Sequence, residues 1–439
     1  MKERPLADLQ SGQVSRLIYS DDSIYRQELE RIFACCWLFL GHESMLPQPG
    51  DYLTTWMGED PIIVCRDAEG RVHALLNSCR HRGNRVCLFE RGNAPVFTCS
   101  YHGWSYNTAG QLTGVPFHTE AYYGELDRDR LGLAEVPRLQ SYGGLLFGCW
   151  DPDAPSLAEY LGEMAWYLER LLLVAEDLGG LEVIATSRYA AHGNWKIPAE
   201  NFAGDHYHNP TTHGSSYKLG LRAAEFAGPQ GRNGPFELAL GPGHGLGGLY
   251  TGEEPYERDL AQAQRLGSEV ADYVRQRYRC LHERLRGSRS QPYSFSHANI
   301  FPNCALWGGG AFRGNGIFLF QPKGPLDIEV WQLVALPRQA PEAIRNMVLA
   351  QFGQGGHFGS GLFEQDDADN FERVTENTRG AISRRYPFHY GMGLRQEGNW
   401  PGSEEWDIHD LPGLVGPRFS EHAQRRFYAH WAHLMAAGS

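Results

Sequence analysis

Two short stretches, Cys79-Arg80-His81 and Cys99-Ser100-Tyr101-His102, constrain this 439-residue chain more than anything else in it. Each supplies one thiolate and one imidazole, as C-x-H and then, seventeen residues later, C-x2-H. A structural zinc site usually draws two Cys from one turn and two His, or two more Cys, from another. Here the ligand types are divided evenly, so each loop can reach both metals of a two-iron cluster. The fold must therefore hold two loops side by side, and the chemistry points to single electrons.

Two thiolates on one iron and two imidazoles on the other make a Rieske [2Fe–2S] centre, in which imidazole raises the reduction potential. The remaining seven of the nine Cys are scattered and read as reduced, mostly buried thiols rather than a disulfide framework. The chain is long enough for two domains. Its net charge of −12 argues against a general role on nucleic acid or an anionic membrane. MKERPLADLQ contains no apolar signal segment, and no run approaches the ~20 apolar residues of a membrane span. The expected location is cytoplasmic.

Residues 23–36 read as a helix capped by Ser23. From Trp37 to Asp153, short runs such as YLTTW, PIIVC, PVFTC and GLLFGCW alternate with Gly, Pro, Asn and Asp, as in a small all-β domain with loops at its tips. Helical patterns return at 156–176, 257–286, 340–352, 365–380 and 417–436, with strands at 316–321 and 328–336. The Gly-rich stretch 226–248 reads as a long loop. The fold class is α+β: an all-β domain, 37–153, inserted near the N-terminus of a larger domain made of 1–36 and 154–439.

A second site lies in NWKIPAENFAGDHYHNPTTH, residues 194–213. Pro198 suits the opening of a helix, on which Asp205 and His208, three apart, would share a face. His213 would then be rotated ~140° from His208. Pro210 should stop or kink the helix and let His213 swing back. Two imidazoles and a carboxylate form the facial triad of a non-haem iron(II) site. The segment FEQDDADNFE offers Asp366, Asp367 and Asp369; alone it would read as the acidic first turn of a helix.

Together these motifs resemble the large (α) subunit of Rieske non-haem iron ring-hydroxylating oxygenases of the naphthalene and biphenyl dioxygenase type. The resemblance covers nearly the whole chain and includes the signature E-N-x3-D-x2-H-x4-H, here Glu200 to His213, with a downstream Asp pair. It implies a catalytic domain with an antiparallel sheet flanked by helices. It implies that Cys79 and Cys99 hold one Rieske iron and His81 and His102 the other. It implies that His208, His213 and the second Asp of the pair, Asp367 rather than Asp366, hold a mononuclear Fe(II). Asp205 would bridge a Rieske His of one subunit to an iron-ligating His of the next, and Asn201 would lie near the open side of the iron. The implied cavity residues are Phe202, Asn209, Trp307, Phe352, Phe358 and Phe363. HFGSGLFEQDD is shorter than, and departs from, the family's F-G-P-A-G form.

The resemblance further implies cis-dihydroxylation of an aromatic ring with O2, electrons from a ferredoxin or reductase, and a homotrimer to which many relatives add a small β subunit. No nicotinamide or flavin segment is evident; the Gly-rich GPGHGLGG lacks a strand-loop-helix setting. His206 and Asn209 are polar where hydrocarbon oxygenases often carry apolar residues, which leaves room for a carboxylate or hydroxyl on the substrate. The alternative reading is a Rieske monooxygenase or demethylase on the same residues. An electron carrier without chemistry and a zinc-binding protein are the readings from other classes.

Overall fold

The short β-prone runs of the N-terminal third fold as three small antiparallel sheets in the computed structural model, which describes residues 5–219, 236–251, 254–285, 292–308, 310–312, 314–354, 361, 364–398, 400, 403, 408 and 410–437. Contacts divide the chain into two units: Phe33–Leu157, and Met1–Ile32 together with Ala158–Ser439.

In the smaller unit one sheet runs Val72–Leu76, Asp60–Arg66, Asp51–Met57, Arg91–Asn93. A second runs Leu112–Gly114, Ser105–Asn107, Val96–Thr98. A third runs Arg138–Tyr142, Leu145–Cys149, Leu38–His42. Inward residues such as Ile63, Cys65, Leu75, Phe97, Trp104 and Tyr106 pack into one buried cluster. The metal-motif cysteines belong to that cluster, so the loops are anchored by core packing rather than hung in solvent.

The larger unit is organised by a nine-stranded antiparallel sheet. Its order is Leu181–His192, Asp327–Pro337, Asn315–Pro322, Cys304–Gly308, His297–Ile300, His244–Thr251, Phe236–Leu240, Leu414–Pro417, with Pro292–Ser294 beside His244–Thr251. The helix Lys196–Gly204 lies against this sheet. At Gly245 any side chain would strike the Ala203 carbonyl, so glycine sets how closely helix and strand approach. The described part of the stretch expected to be a loop, 236–248, instead holds strand Phe236–Leu240, a turn and most of strand His244–Thr251; glycine serves helix packing in the second strand, where its low strand propensity hides the sheet. Residues 226–235 lie outside the described residues.

Other elements differ in detail. The first helix is Asp22–Glu28, and its cap is Asp21, whose Oδ1 accepts from the N–H groups of Ser23 and Ile24. The pattern at 156–176 is divided at Gly162, and that at 257–286 becomes two helices, Glu254–Leu266 and Ser268–Arg284, separated by Gly267. The helices Glu342–Gln354, Glu364–Thr378 and His422–Ala436 lie where helical periodicity predicts them. Among the described residues no helix is long and apolar enough to cross a membrane.

Helix Lys196–Gly204 is tied down from below. The Lys196 Nζ lies 2.6 Å from Glu28 Oε1, both side chains are fully buried, and the indole N–H groups of Trp195 and Trp431 donate to the same carboxylate. A buried carboxylate needs such full satisfaction, because removing either charge leaves the other unpaired in the core.

Candidate functional site

The two Cys-His loops are built alike. In each, the Cys N–H donates to the carbonyl five residues on: Cys79 to Asn84 and Cys99 to Trp104, both at 2.8 Å. In each, the N–H of the residue four on, Gly83 or Gly103, returns to the Cys carbonyl. Both glycines take positive φ, 76° and 74°, which the turn requires. A Gly four residues after each Cys was thus readable in the sequence, as C-R-H-R-G and C-S-Y-H-G, but its role emerges only with the loops side by side.

Cys79 and Cys99 are buried, whereas His81 and His102 are half-buried, with ring centroids 4.4 Å apart. The indole of Trp104 stacks on His81, 10° from parallel. The His81 Nδ1 is sealed from solvent and takes no protein hydrogen bond among the described residues, as a metal-directed nitrogen should. The Tyr106 hydroxyl accepts from the Arg80 N–H at 3.0 Å and lies 3.3 Å from the Cys79 sulfur, to which it would donate once that sulfur is a metal-bound thiolate. The Asn84 amide reaches the Cys99 sulfur. Burial opposes ionisation of Cys99, but the N–H groups of Tyr101 and His102 and the Asn84 amide hold its thiol below the ordinary range. Two sulfurs inside and two imidazoles outside fit a two-iron cluster held by a pair of thiolates and a pair of imidazoles. Trp104, Tyr106 and Asn84 complete the site without any motif of their own.

In the larger unit, helix Lys196–Gly204 ends at Gly204 and not at Pro210. Asp205 and His208 consequently do not share a helix face. Asp205 turns the chain: its Oδ1 accepts from the N–H groups of Tyr207 and His208. Pro210 opens a new short helix, Asn209–Thr212, flanked by His208 and His213. This turn brings the imidazoles together, with ring centroids 5.2 Å apart and 77° between their planes.

Their Nε2 atoms face one carboxylate oxygen. Asp367 Oδ1 is 3.8 Å from His208 Nε2 and 3.4 Å from His213 Nε2. Metal bonds of about 2.0–2.2 Å put neighbouring donor atoms roughly 3 Å apart, so the three groups fit one ion after a small contraction. Asp366 is 44% exposed against 16% for Asp367, and its approach is to His213 Nδ1 at 3.9 Å. Both aspartates stand in the first turn of Glu364–Thr378, and Asp369 pairs instead with Arg373.

The far side of His208 is also held. Its Nδ1 lies 3.3 Å from Asp205 Oδ2, and the Asn201 amide lies within 3.4 Å of both. Burial works against charge on each partner, but their contact holds Asp205 below and His208 above the ordinary range. A carboxylate on the remote imidazole nitrogen fixes tautomer and ring orientation. Glu200, also in the signature, faces elsewhere: the Tyr390 hydroxyl donates to it at 2.8 Å, within a buried group that includes Tyr19 and Tyr428. Burial pushes its carboxyl well up.

The candidate cavity residues are not all gathered. Phe202 meets Phe318, Phe320 and His297. Asn209 is buried beside the two histidines in sequence, and Trp307 is half-buried on strand Cys304–Gly308. Phe352 packs in a core with Phe312, Ile344 and Val348. Phe358 and Phe363 lie outside the described residues.

Comparison with known proteins agrees with this arrangement. Residues 36–140 match the Rieske [2Fe-2S] domain, and residues 178–437 match the ring hydroxylating alpha subunit catalytic domain. The chain is 38% identical to biphenyl 2,3-dioxygenase subunit alpha of Rhodococcus jostii (strain RHA1), over 98% of this chain and 91% of that protein. It is 37% identical to benzene 1,2-dioxygenase subunit alpha of Pseudomonas putida, over 98% and 93%. Naphthalene 1,2-dioxygenase from Rhodococcus sp. bound to indole superposes with a TM-score of 0.80 at 32% identity, over 98% of each chain. The chain belongs to the ring-hydroxylating alpha subunit family, oxidoreductases that join a Rieske [2Fe–2S] domain to a mononuclear-iron catalytic domain.

Proposed function

We propose that this chain is the terminal oxygenase component that cis-dihydroxylates an aromatic ring, using O2 and electrons from a ferredoxin or reductase. The observation that carries this is the meeting of His208 Nε2, His213 Nε2 and Asp367 Oδ1 in a chain that also carries a Rieske domain. The relatives named above act on biphenyl, benzene and naphthalene by their names, so a one- or two-ring aromatic is the substrate class.

In this reading Cys79 and Cys99 hold one cluster iron, His81 and His102 the other, and His208, His213 and Asp367 the Fe(II). When bound, the cluster supplies single electrons and the Fe(II) supplies oxygen activation. Asp205 positions His208 through Nδ1, and Asn201 steadies both. Phe202 and Trp307 would present apolar surface to the ring and exclude water. Asn209 would face a polar substituent, a carboxylate or hydroxyl, whereas His206 is fully buried against Glu237.

Asp205 is about one-third exposed beside His208, and the bridging role that the resemblance implies would have its carboxylate also accept from an imidazole of a neighbouring subunit's Rieske loop. This favours a homotrimer in which each interface joins one cluster to the next chain's iron, with or without a small β subunit. Residues 37–153 are the Rieske domain and 1–36 with 154–439 the catalytic domain in this assignment, and the enzyme is cytoplasmic.

Purified protein supplied with ferredoxin, reductase and a panel of aromatics should consume O2 in step with formation of a cis-dihydrodiol. His213→Ala should abolish product while the Rieske spectrum survives. Product formation by that variant at the wild-type rate contradicts the reading.

A further inference from the structure

A second group of two imidazoles and a carboxylate lies in the larger unit, outside the family signature's ligand set. His206 follows Asp205 in the loop after helix Lys196–Gly204; Glu237 stands on strand Phe236–Leu240; His297 opens strand His297–Ile300. One ligand atom from each lies within 4.8 Å of the others. The side chains of His206 and Glu237 are fully buried, and the Nε2 of His297 is sealed from solvent. His206 Nδ1 approaches Glu237 Oε1 at 2.5 Å, and the rings of His206 and His297 are 4.8 Å apart.

The backbone leaves room for this group. A Cβ at Gly247 would strike His297 Nε2 and come within 2.5 Å of Glu237 Oε2. One at Gly248 would come within 2.5 Å of His206 Cε1, and one at Gly204 within 2.8 Å of Glu237 Oε2. Three glycines from two elements thus line one cradle around three metal-ligating side chains. Burial and the charge of Asp205 push the Glu237 carboxyl well above its ordinary range, which the Gly248 N–H and Arg418 only partly offset. A cation bound there would compensate the buried carboxylate.

We propose that His206, Glu237 and His297 form a second cation site, distinct from the His208–His213–Asp367 site, that takes a divalent first-row transition-metal ion. Two imidazole nitrogens and one carboxylate oxygen are the borderline donor set of Zn(II), Fe(II) or Co(II) rather than of Mg(II) or Ca(II). The short His206–Glu237 contact must open by roughly 0.5 Å to admit metal bonds of about 2.0–2.2 Å.

The probe is Zn(II), titrated against a chromophoric chelator into holoprotein already loaded with its cluster and mononuclear iron. One further equivalent should bind with no loss of iron. Glu237→Gln and His206→Ala should each weaken that equivalent by about tenfold or more, while the Rieske absorbance and the mononuclear iron EPR signal persist. Wild-type crystals soaked in Zn(II) supply a test that needs no variant: anomalous density should appear between the three side chains. The proposal is overturned if no further equivalent binds, if zinc displaces iron one for one, if both variants bind as wild type does, or if the anomalous density lies only elsewhere. None of these outcomes bears on the His208–His213–Asp367 assignment, which rests on iron retention and product formation.

Discussion

The Nδ1 of His208 lies 3.3 Å from Asp205 Oδ2 while its Nε2 faces Asp367, so one imidazole is held between two carboxylates of different duty. Asp205→Ala should leave both metal centres largely bound and stop turnover, because the residue orients a ligand and is proposed to join two subunits' centres. Iron content, the Rieske spectrum and steady-state product formation check this. Turnover at the wild-type rate would remove the positioning role.

The two adjacent aspartates should separate cleanly. Asp367→Asn should lose the mononuclear iron on desalting, whereas Asp366→Asn should keep it, since Asp367 Oδ1 meets both Nε2 atoms and Asp366 does not. Iron analysis before and after gel filtration distinguishes them.

Much of this was legible in the sequence because metal chemistry leaves ligand types at short spacings. Cys79 to His102 named the cluster motif, and His208 with His213 named a pair that needed a bend. The bend itself was misplaced: Pro210 has the residue chemistry of a helix breaker, yet Gly204 and Asp205 end the helix and Pro210 starts the next turn. Strand His244–Thr251 was hidden because packing against Ala203 demands glycine at Gly245, where strand propensity favours branched residues, and Phe236–Leu240 is only five residues long. Glu237 and His297 stand on separate strands, and only the sheet's pairing brings them to His206.

Tyr106→Phe should lower the Rieske reduction potential. The phenol proton directed at Cys79 stabilises the more negative, reduced cluster, and hydrogen bonds to sulfur are a main lever on such potentials. A redox titration followed by EPR should show the downward shift; an unchanged potential would mean the contact carries no such bond.

The buried pair Glu28–Lys196 should be costly to break. Lys196→Met leaves Glu28 uncompensated in the core and should destabilise the fold by about 3–5 kcal/mol, with Glu28→Gln in the same chain recovering part of the loss. Urea unfolding monitored by tryptophan fluorescence measures both.

His73 gives the Rieske unit a pH dependence. Its ring nitrogens reach Asp67 at 2.8 Å and Glu135 at 2.7 Å. Burial alone would lower its pKa, but the two carboxylates raise it, while Asp67 is drawn down to about 2 despite burial. The His73 contribution is fully present below the unfolded value of about 6.5 and is lost as pH rises through the raised value. The Asp67 contribution is present above about 3.9 and is lost as pH falls toward 2. Thermal loss of the Rieske absorbance should therefore come at lower temperature at alkaline pH, and His73→Gln should flatten that alkaline slope.

The most direct measurement is a single turnover of pre-reduced enzyme with an aromatic substrate under 18O2, followed by mass spectrometry of the product. The account predicts a cis-dihydrodiol in which both oxygens carry the label from one O2 molecule. A product with one labelled oxygen, or with the second drawn from water, would contradict it.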